Sequence, residues 1–422
     1  MTPHPPCILL GLGSAAGLVA MRELGRRGVP VIGIGYDHGP IGRGSRYLSK
    51  FKVRPEGELR EWLPALVRET GAGAVLPLRD RDIVDVAQLG EAALGCRNLG
   101  VASGPAALAM DKASTLEMAR SCGLEVPGSW QPDAPGAPIA DLGWPVVLKF
   151  PEPLLVAEAI EQAGLPDFKA EYCSNPRELR RALERYRPLG RYPLVQSYCG
   201  GRGFGQTLYM AGGRAVLRFQ HERTHEWPPE GGVSSLCRAV PLAAHQEQME
   251  RSEALLAAMG WDGFAMVEYR YDAGSGRYLL MEVNAHLWGS LALASACRAE
   301  FAWEAYRRRV LNDSTPAPQP RAGLYARDTV KETRRILQLL APGHRPSDPC
   351  FQATPGRDLR RYLSGFADPA VRPYVFAWSD PVPSLWAAAA SLARAWQRVR
   401  GRTAAAAPSA AKPRHEAAGP VA

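Results

Sequence analysis

Two glutamates and an asparagine interrupt a stretch of sequence that otherwise has the pattern of a buried β-hairpin. The stretch is GFAMVEYRYDAGSGRYLLMEVNAH, residues 263–286, and its turn signal DAGSG is centred near Ser275. Glu268 lies seven residues before that centre and Glu282 lies seven residues after it. Positions equidistant from a hairpin turn face each other across the strands, with Cβ atoms about 4.5–5.5 Å apart. Asn284 is two residues beyond Glu282, so we expect all three side chains on one face of the sheet.

Two facing carboxylates in a partly buried sheet repel each other by about 4 kcal/mol at a separation of about 4 Å and an effective dielectric of about 20. A bound cation would relieve the repulsion, and two carboxylates with an amide oxygen form the all-oxygen ligand set that suits Mg2+ or Mn2+. Two other interpretations stay open. Arg270 could neutralise one glutamate in a structural ion pair, or a one-residue shift of register could place the two glutamates on opposite faces.

Four motifs precede this hairpin, and their order along the chain carries a resemblance. They are MDKAST with Lys112, WPVVLKF with Lys149, LVQSY with Gln196, Ser197 and Tyr198, and QHERTHEWPPEGGVSS with Arg223. Together with MEVN and the following WGS, they resemble the ATP-grasp superfamily, and within it the carboxylate–amine/thiol ligase branch. The resemblance covers about residues 1–315.

The resemblance implies an ATP- and Mg2+-dependent ligase that activates a small carboxylate as an acyl phosphate, which an amine or thiol then attacks. Its partners would be small-molecule carboxylate and amine substrates, with no nucleic acid expected. The implied residue roles follow the motifs. Lys112 and Lys149, with Lys169 as a third candidate, would bind the phosphates of ATP, and the adenine site would be lined by Gln196, Ser197 and Tyr198. Mg2+ (or Mn2+) would be held by Glu268, Glu282 and Asn284. Developing negative charge would be stabilised by Arg223, Arg270 and His286.

The sequence departs from the family pattern in ways that leave a second function open. The usual Asn-Pro-Arg after the metal strand is replaced by Asn284-Ala285-His286. The segment PEPLLVAEAIEQAG, residues 151–164, is apolar and acidic where a glycine-rich phosphate loop is expected. No acidic residue stands clearly at the ribose position, where the sequence is GGRGFGQ. The alternative is therefore a catalytically degenerate ATP-binding or scaffold protein.

The N-terminal segment CILLGLGSAAGLVAMRELGRRGVPVIGIGYD, residues 7–37, predicts a Rossmann-type β-α-β unit. Its glycines, Gly11, Gly13 and Gly17, favour a tight turn with backbone amides exposed at a helix N-terminus. A second alternative is therefore an NAD-dependent oxidoreductase, with Asp37 near the ribose position. The resemblance implies instead a pre-grasp domain, in which Asp37 could hold an ammonium group of the acceptor and Arg43 or Arg46 a carboxylate.

The resemblance and the hydrophobic pattern together predict α/β and α+β architecture. We expect a Rossmann-like pre-grasp domain over 1–105 and a two-subdomain ATP-grasp fold over 106–315, with a lid subdomain over about 113–190. A single helix is predicted over about 105–121. The Pro-rich segment NDSTPAPQP, residues 312–320, would be the linker to a basic, helical C-terminal extension over 316–422, with a disordered tail from about 403.

Charge is concentrated in that C-terminal extension. Residues 316–422 hold 16 Lys and Arg against 7 Asp and Glu, a net +9 that equals the net charge of the whole chain. The segment from about 383 has a helical apolar stripe with arginines mostly on other faces, so weak contact with a membrane surface stays open beside docking on the protein itself. No apolar run is long enough for a membrane span, no secretion signal is expected, and the 8 cysteines are scattered. These features predict a cytoplasmic protein of unknown oligomeric state.

Overall fold

A computed structural model describes residues 3–36, 39–137, 141–151, 153–165, 170–229, 231–343 and 347–389 of the 422-residue chain. These residues form three β-sheets of five, seven and four strands with helices packed around them. No helix within them is long and apolar enough to cross a membrane.

The first sheet is parallel and five-stranded, in the order β3-β2-β1-β4-β5. The strands are β1 (Cys7–Leu10), β2 (Val31–Gly35), β3 (Leu48–Val53), β4 (Ala74–Pro77) and β5 (Arg97–Asn98), and the helices between them are α1 (Ala15–Gly25), α2 (Leu59–Thr70) and α3 (Asp80–Leu94). The predicted β-α-β unit is confirmed, because β1 and β2 pair in parallel on either side of α1. β1 and β2 are buried throughout, as strands covered on both faces must be.

The helical stretch predicted over about 105–121 is helical in the structure, but it is divided into α4 (Ser103–Met110) and α5 (Lys112–Ser121). The break is at Asp111, whose backbone is extended, with φ −97° and ψ 103°. Asp111 also caps α5, since its carboxylate accepts a hydrogen bond from the amide of Ala113 at 3.0 Å. Lys112 is consequently the first residue of a helix rather than a position within one.

The second sheet is antiparallel and four-stranded, in the order β6-β9-β7-β8. Its elements are β6 (Ser129–Trp130), β7 (Val146–Lys149), α6 (Pro153–Gln162), β8 (Glu171–Cys173), α7 (Pro176–Tyr186) and β9 (Leu194–Ser197). The face packed on α7 buries Val146, Leu148 and Val195 with Leu179 and Leu183 of the helix. Lys149 therefore ends a strand that this small core holds in place.

The third and largest sheet has seven strands, in the order β14-β13-β10-β11-β12-β15-β16. The strands are β10 (Arg202–Ala211), β11 (Arg214–Trp227), β12 (Val233–Ala239), β13 (Gly263–Asp272), β14 (Arg277–Asn284), β15 (Tyr325–Arg327) and β16 (Val371–Pro373). The helices are α8 (Gln246–Ala258), α9 (Leu291–Ala296), α10 (Phe301–Arg309), α11 (Thr329–Leu340) and α12 (Pro355–Ser364). The predicted hairpin β13–β14 is confirmed as an antiparallel pair, and β10 pairs with β11 in the same way.

The C-terminal region, predicted as a helical extension, contains α11 and α12 and also adds two strands to this large sheet. β15 pairs antiparallel with β12, and β16 pairs parallel with β15. The region also contacts the parallel sheet through Asp380, which is 1% exposed. Its carboxylate accepts hydrogen bonds from the Arg22 guanidinium at 2.9 Å, the Ser45 hydroxyl at 2.7 Å and the Arg46 amide at 2.9 Å. One buried carboxylate therefore joins the two ends of the chain.

Candidate functional site

One cavity of about 1420 Å³ brings together most of the side chains that the sequence singled out. It opens between the four-stranded and seven-stranded sheets, and the start of α3 and the break between α4 and α5 form a further wall. The predicted site residues that line it are Lys112, Lys149, Gln196, Ser197, Tyr198, Arg223, Glu268, Arg270, Glu282, Asn284 and His286.

The two glutamates face each other across β13 and β14, as the hairpin predicts. Glu268 is paired with Glu282, and Met266 is paired with Asn284. The turn and the strand register that produce this pairing differ from the prediction. The turn pairs Asp272 with Arg277, and the register shifts between Glu268 and Tyr269, so that Met281 is the extra residue of a β-bulge. The bulge restores the pairing that a turn centred on Ser275 would have given.

Asn284 lies on the same face as Glu282 and contacts it. Its side-chain amide donates to the Glu282 carboxylate at 3.3 Å. Since that bond uses the amide nitrogen, the amide oxygen keeps its acceptor capacity. The face therefore presents two carboxylates and one amide oxygen from two adjacent strands.

Both carboxylates have basic partners from other elements. The Lys112 ammonium at the start of α5 lies 2.9 Å from the Glu282 carboxylate. Lys112 is the main cause of the strongly lowered pKa of Glu282, and Glu282 in turn raises the pKa of Lys112. Arg223 on β11 contacts Glu268, and its guanidinium is also 3.3 Å from the Glu226 carboxylate. Burial alone would lower the pKa of Arg223, but Glu268 and Glu226 outweigh burial and raise it.

Lys149 has a different environment at the end of β7. No carboxylate in the described parts of the chain lies within ion-pair distance of its ammonium. Burial, followed by repulsion from Lys112, lowers the pKa of Lys149 from 10.5 to about 8. A buried ammonium next to another cation is stabilised by any anion that enters the cavity, so Lys149 is suited to bind a phosphate.

The lowered pKa of Lys149 predicts how the binding of an anion such as ATP depends on pH. Below about pH 8 the lysine is charged in the free protein, whereas above it each further pH unit should weaken binding by up to about tenfold. Isothermal titration with ATP from about pH 7 to about pH 9.5 measures this slope. Lys149→Met should bind ATP weakly at every pH and lose the slope. A wild-type affinity that stays constant across the range would contradict the pKa of Lys149.

The lowered pKa of Lys149 also makes the stability of the folded protein depend on pH, in the opposite direction to anion binding. The folded protein favours neutral Lys149, so the unfolded chain binds more protons between about pH 8 and pH 10.5. The contribution of Lys149 to stability therefore increases as the pH rises through that window, while its affinity for an anion decreases.

Gln196, Ser197 and Tyr198 form the edge of the cavity at the end of β9. The Gln196 amide donates to the Ser129 hydroxyl at 3.2 Å, and the backbone amide of Ser197 donates to the carbonyl of Gly128 at 2.8 Å. The Tyr198 hydroxyl donates to Asp348 at 3.0 Å. Asp348 belongs to the C-terminal region, which therefore contacts this segment as well as the large sheet.

Arg270 and His286 are held by acidic residues at the cavity wall. The Arg270 guanidinium lies 3.4 Å from the Glu226 carboxylate. The His286 ring lies 3.8 Å from the carboxylate of Asp80, at the start of α3. Asp80 therefore brings the N-terminal part of the chain to the end of β14, a contact that sequence reasoning missed.

Two further cavity residues were missed because their partners are distant in sequence. Lys331 reaches the cavity from the first turn of α11, where its ammonium lies 2.8 Å from Asp328. The Ser290 hydroxyl lies 3.0 Å from the ring of His221. Burial lowers the pKa of His221 to about 3, so this imidazole is neutral. No spacing in the sequence signals either contact.

Several predicted substrate contacts are not brought to the cavity. Gly11, Gly13 and Gly17 do not line it, and neither do Arg43 and Arg46. Arg43 and Arg46, the candidates for holding a substrate carboxylate, have other contacts: Arg43 lies over the Phe51 ring, and Arg46 contacts the C-terminal segment. Asp37 and Lys169 lie outside the described residues.

The comparison with solved structures shows the fold. No protein-family model and no curated protein sequence matches the chain. Solved structures do match it. An L-amino acid ligase from Bacillus licheniformis is 14% identical with a TM-score of 0.56, covering 73% of this chain and 75% of that one. The N5-carboxyaminoimidazole synthetase from Staphylococcus aureus is 11% identical with a TM-score of 0.56, covering 74% and 78%.

A third similar structure is the biotin carboxylase domain of the Hydrogenobacter thermophilus 2-oxoglutarate carboxylase, solved with MgADP and bicarbonate. It is 15% identical with a TM-score of 0.57, covering 76% of this chain and 73% of that one. All three are ATP-grasp proteins. The chain has the ATP-grasp fold.

The ATP-grasp fold of this chain has a helix where a glycine-rich loop was expected. α6 occupies Pro153–Gln162, and its Val156 and Ile160 are buried beside Phe150 and Tyr186. Val156 and Ile160 also line the cavity. Backbone amides within a helix are used by the helix itself, so only those of its first turn could bind a phosphate.

The ATP-grasp cavity presents its candidate metal ligands as a small set. Among the described residues, no three or more His, Cys, Asp and Glu side chains form a metal-binding cluster. Glu268 and Glu282 are the facing pair of acids, and the third oxygen comes from an amide. Such a set leaves several coordination positions for other oxygen atoms.

Proposed function

We propose that the protein is an ATP- and Mg2+-dependent ligase that activates a small carboxylate as an acyl phosphate for attack by an amine or thiol. The observation that carries the proposal is the facing pair Glu268 and Glu282 in one cavity with Lys112 and Lys149. One structure of the same fold was solved with MgADP, and another is an L-amino acid ligase, which supports the same chemistry here.

The proposed roles follow the positions of the side chains. Lys112 and Lys149 bind the α- and β-phosphates, and Lys169 is a third candidate. Gln196, Ser197 and Tyr198 line the adenine site. Glu268, Glu282 and Asn284 fit Mg2+, because all three offer oxygen atoms from one face and leave positions for phosphate oxygens. Bound there, Mg2+ would neutralise charge on the β- and γ-phosphates.

Three cationic side chains would stabilise the negative charge that develops during the transfer. Arg223 and Arg270 both line the cavity and both contact Glu226, which would hold the two guanidinium groups in place before the reaction. His286 stands where the family has arginine, and its imidazole needs a proton to supply the same charge. The side chains thus position the reactants and compensate charge, which is the main task of a protein in phosphoryl transfer.

The proposed division of the chain is a Rossmann-like pre-grasp domain over 1–105, an ATP-grasp domain over 106–315 with its lid over about 113–190, and a C-terminal region over 316–422. The parallel order of the first sheet supports the first unit. The antiparallel four-stranded sheet supports the lid.

Hydroxylamine tests the proposal without knowledge of the natural amine. An acyl phosphate reacts with it to give a hydroxamate, so MgATP, hydroxylamine and a set of amino acids and small carboxylates should yield ADP and hydroxamate together for the right acid. Formation of both products should require Mg2+. ADP without hydroxamate for every acid would contradict acyl-phosphate chemistry.

The buried helix α6 favours a second candidate, a catalytically degenerate ATP-binding or scaffold protein. Its Val156 and Ile160 are buried in the segment where a glycine-rich phosphate loop was expected. In that case ATP and Mg2+ would raise the melting temperature, but no ADP would form with any acid and amine.

A further inference from the structure

An exposed apolar surface lies at the C-terminal end of the described chain, away from the cavity residues. Trp378 is 89% exposed and Leu385 is 67% exposed. The rings of Phe376 and Trp378 contact each other edge to face, with centroids 4.8 Å apart. We call this surface the aromatic patch; it consists of Phe376, Trp378, Val382, Leu385 and Trp386.

The aromatic patch is carried by backbone that is firmly held. Trp378 lies between Tyr374, which is buried, and Asp380, whose buried carboxylate binds Arg22, Ser45 and the Arg46 amide. The Arg22 guanidinium also donates to the carbonyl of Val375 at 2.8 Å and to that of Asp380 at 2.9 Å. Exposing a tryptophan ring to water on a firmly held backbone costs free energy, and exposed apolar surfaces of this kind mark interaction sites.

Residues 382–389 continue the patch as a helix that packs against Gly44, in the segment between β2 and β3. A Cβ added to Gly44 would lie 2.8 Å from Val382 and 3.4 Å from Trp386, so glycine is needed for this close contact. The packing uses the side of the helix that bears Val382 and Trp386. Leu385 remains outward, on the exposed part of the patch.

Basic residues surround the aromatic patch. Arg43 and Arg46 are exposed, and the Arg46 guanidinium lies 3.5 Å from the carbonyl of Ser379. Arg372 is also exposed, and Asp380, the one acidic residue of the described stretch 371–389, is buried and bonded to Arg22. The surroundings of the patch therefore carry net positive charge.

We propose that the aromatic patch binds the surface of an anionic lipid bilayer. Tryptophan prefers the boundary between lipid headgroups and acyl chains, where its ring is buried and its N–H stays hydrated. Each nearby arginine is attracted to the negative surface potential of anionic lipids. Apolar insertion and charge attraction act together, as they do for helices that lie on a bilayer without crossing it.

Co-sedimentation of the full chain with lipid vesicles tests this proposal. The protein should pellet with vesicles of phosphatidylcholine mixed with phosphatidylglycerol, and less with phosphatidylcholine alone. Added salt should reduce pelleting, because it screens the arginines. Trp378→Ala and Leu385→Ser should each weaken binding by about tenfold, the loss expected from removing one inserted apolar side chain.

Leu337→Ser is the matched control, since Leu337 is 64% exposed on α11 and lies outside the patch. It should pellet like the wild type. Equal pelleting of wild type and Trp378→Ala would overturn the proposal, as would equal binding to neutral and anionic vesicles. Sedimentation velocity adds one more outcome: a self-association that Trp378→Ala abolishes, without vesicle binding, would assign the patch to a second copy of the chain. None of these measurements depends on the ligase activity.

Discussion

Glu282→Gln should reduce the rate of ADP formation by about 10²–10³-fold, with the protein still folded. The substitution keeps the shape of the side chain and removes only its charge. Lys112 holds the pKa of Glu282 well below its usual range, so the wild-type side chain is a carboxylate at neutral pH. Its loss would weaken a Mg2+ site and leave the Lys112 ammonium without its partner at 2.9 Å.

Glu222→Gln is the matched control for this loss. Glu222 is also a partly buried acid of the large sheet, paired with Arg202 and Arg238, but it does not line the cavity. It should keep wild-type turnover. A second measurement separates metal binding from the catalytic step. Glu282→Gln should weaken the binding of ATP in the presence of Mg2+ but not in the presence of a chelator. Full Mg2+-dependent affinity in Glu282→Gln would remove Glu282 from the metal site.

The pairing of Glu268 with Glu282 shows what a sequence can predict and where it stops. Strand alternation and the turn signal predict that the two acids share a face, and the structure confirms it. The bulge at Met281 could not be predicted, because it depends on which backbone groups of two strands bond to each other. A tighter turn without that bulge would have placed the acids on opposite faces.

Contacts between residues that are distant in sequence were the main feature of the structure that the sequence did not predict. Asp380 meets Ser45, and the hydrogen bond between them joins residues that are 335 positions apart. No local pattern indicates such a bond, so the contacts of Arg46 with the C-terminal segment could not be predicted. Lys331 was missed for the same reason, since its approach to the cavity depends on β15 joining the edge of β12.

Local propensity also misjudged the region around Lys112. The apolar periodicity over 105–121 favours one continuous helix, whereas Asp111 interrupts it and caps the second part. Aspartate competes for backbone amides in this way, which makes it a good helix start and a poor interior residue. The interruption has a consequence for the site, because it turns Lys112 towards Glu282.

Arg223→Met should lower the free energy of unfolding by about 3–5 kcal/mol, the usual cost of leaving a buried charge without its partner. The Arg223 side chain is 13% exposed and lies between Glu268 and Glu226, which would then face each other and Glu282 with less compensating charge. Arg202→Met is the control: Arg202 is 68% exposed, and its partner Glu222 keeps Arg238 at 2.6 Å. That change should cost less than about 1 kcal/mol.

Mg2+ should restore much of the stability that Arg223→Met loses. In the wild type a cation must compete with Arg223 for the Glu268 carboxylate, whereas in the variant that carboxylate is free. A ligand that binds only the folded state stabilises it in proportion to its affinity, so Mg2+ should raise the melting temperature of Arg223→Met more than that of the wild type or of Arg202→Met. The comparison is made at equal ionic strength, with NaCl in place of MgCl2. Because it needs no substrate, an equal response of all three proteins would exclude Glu268 as a metal ligand whether or not the ligase reaction is found.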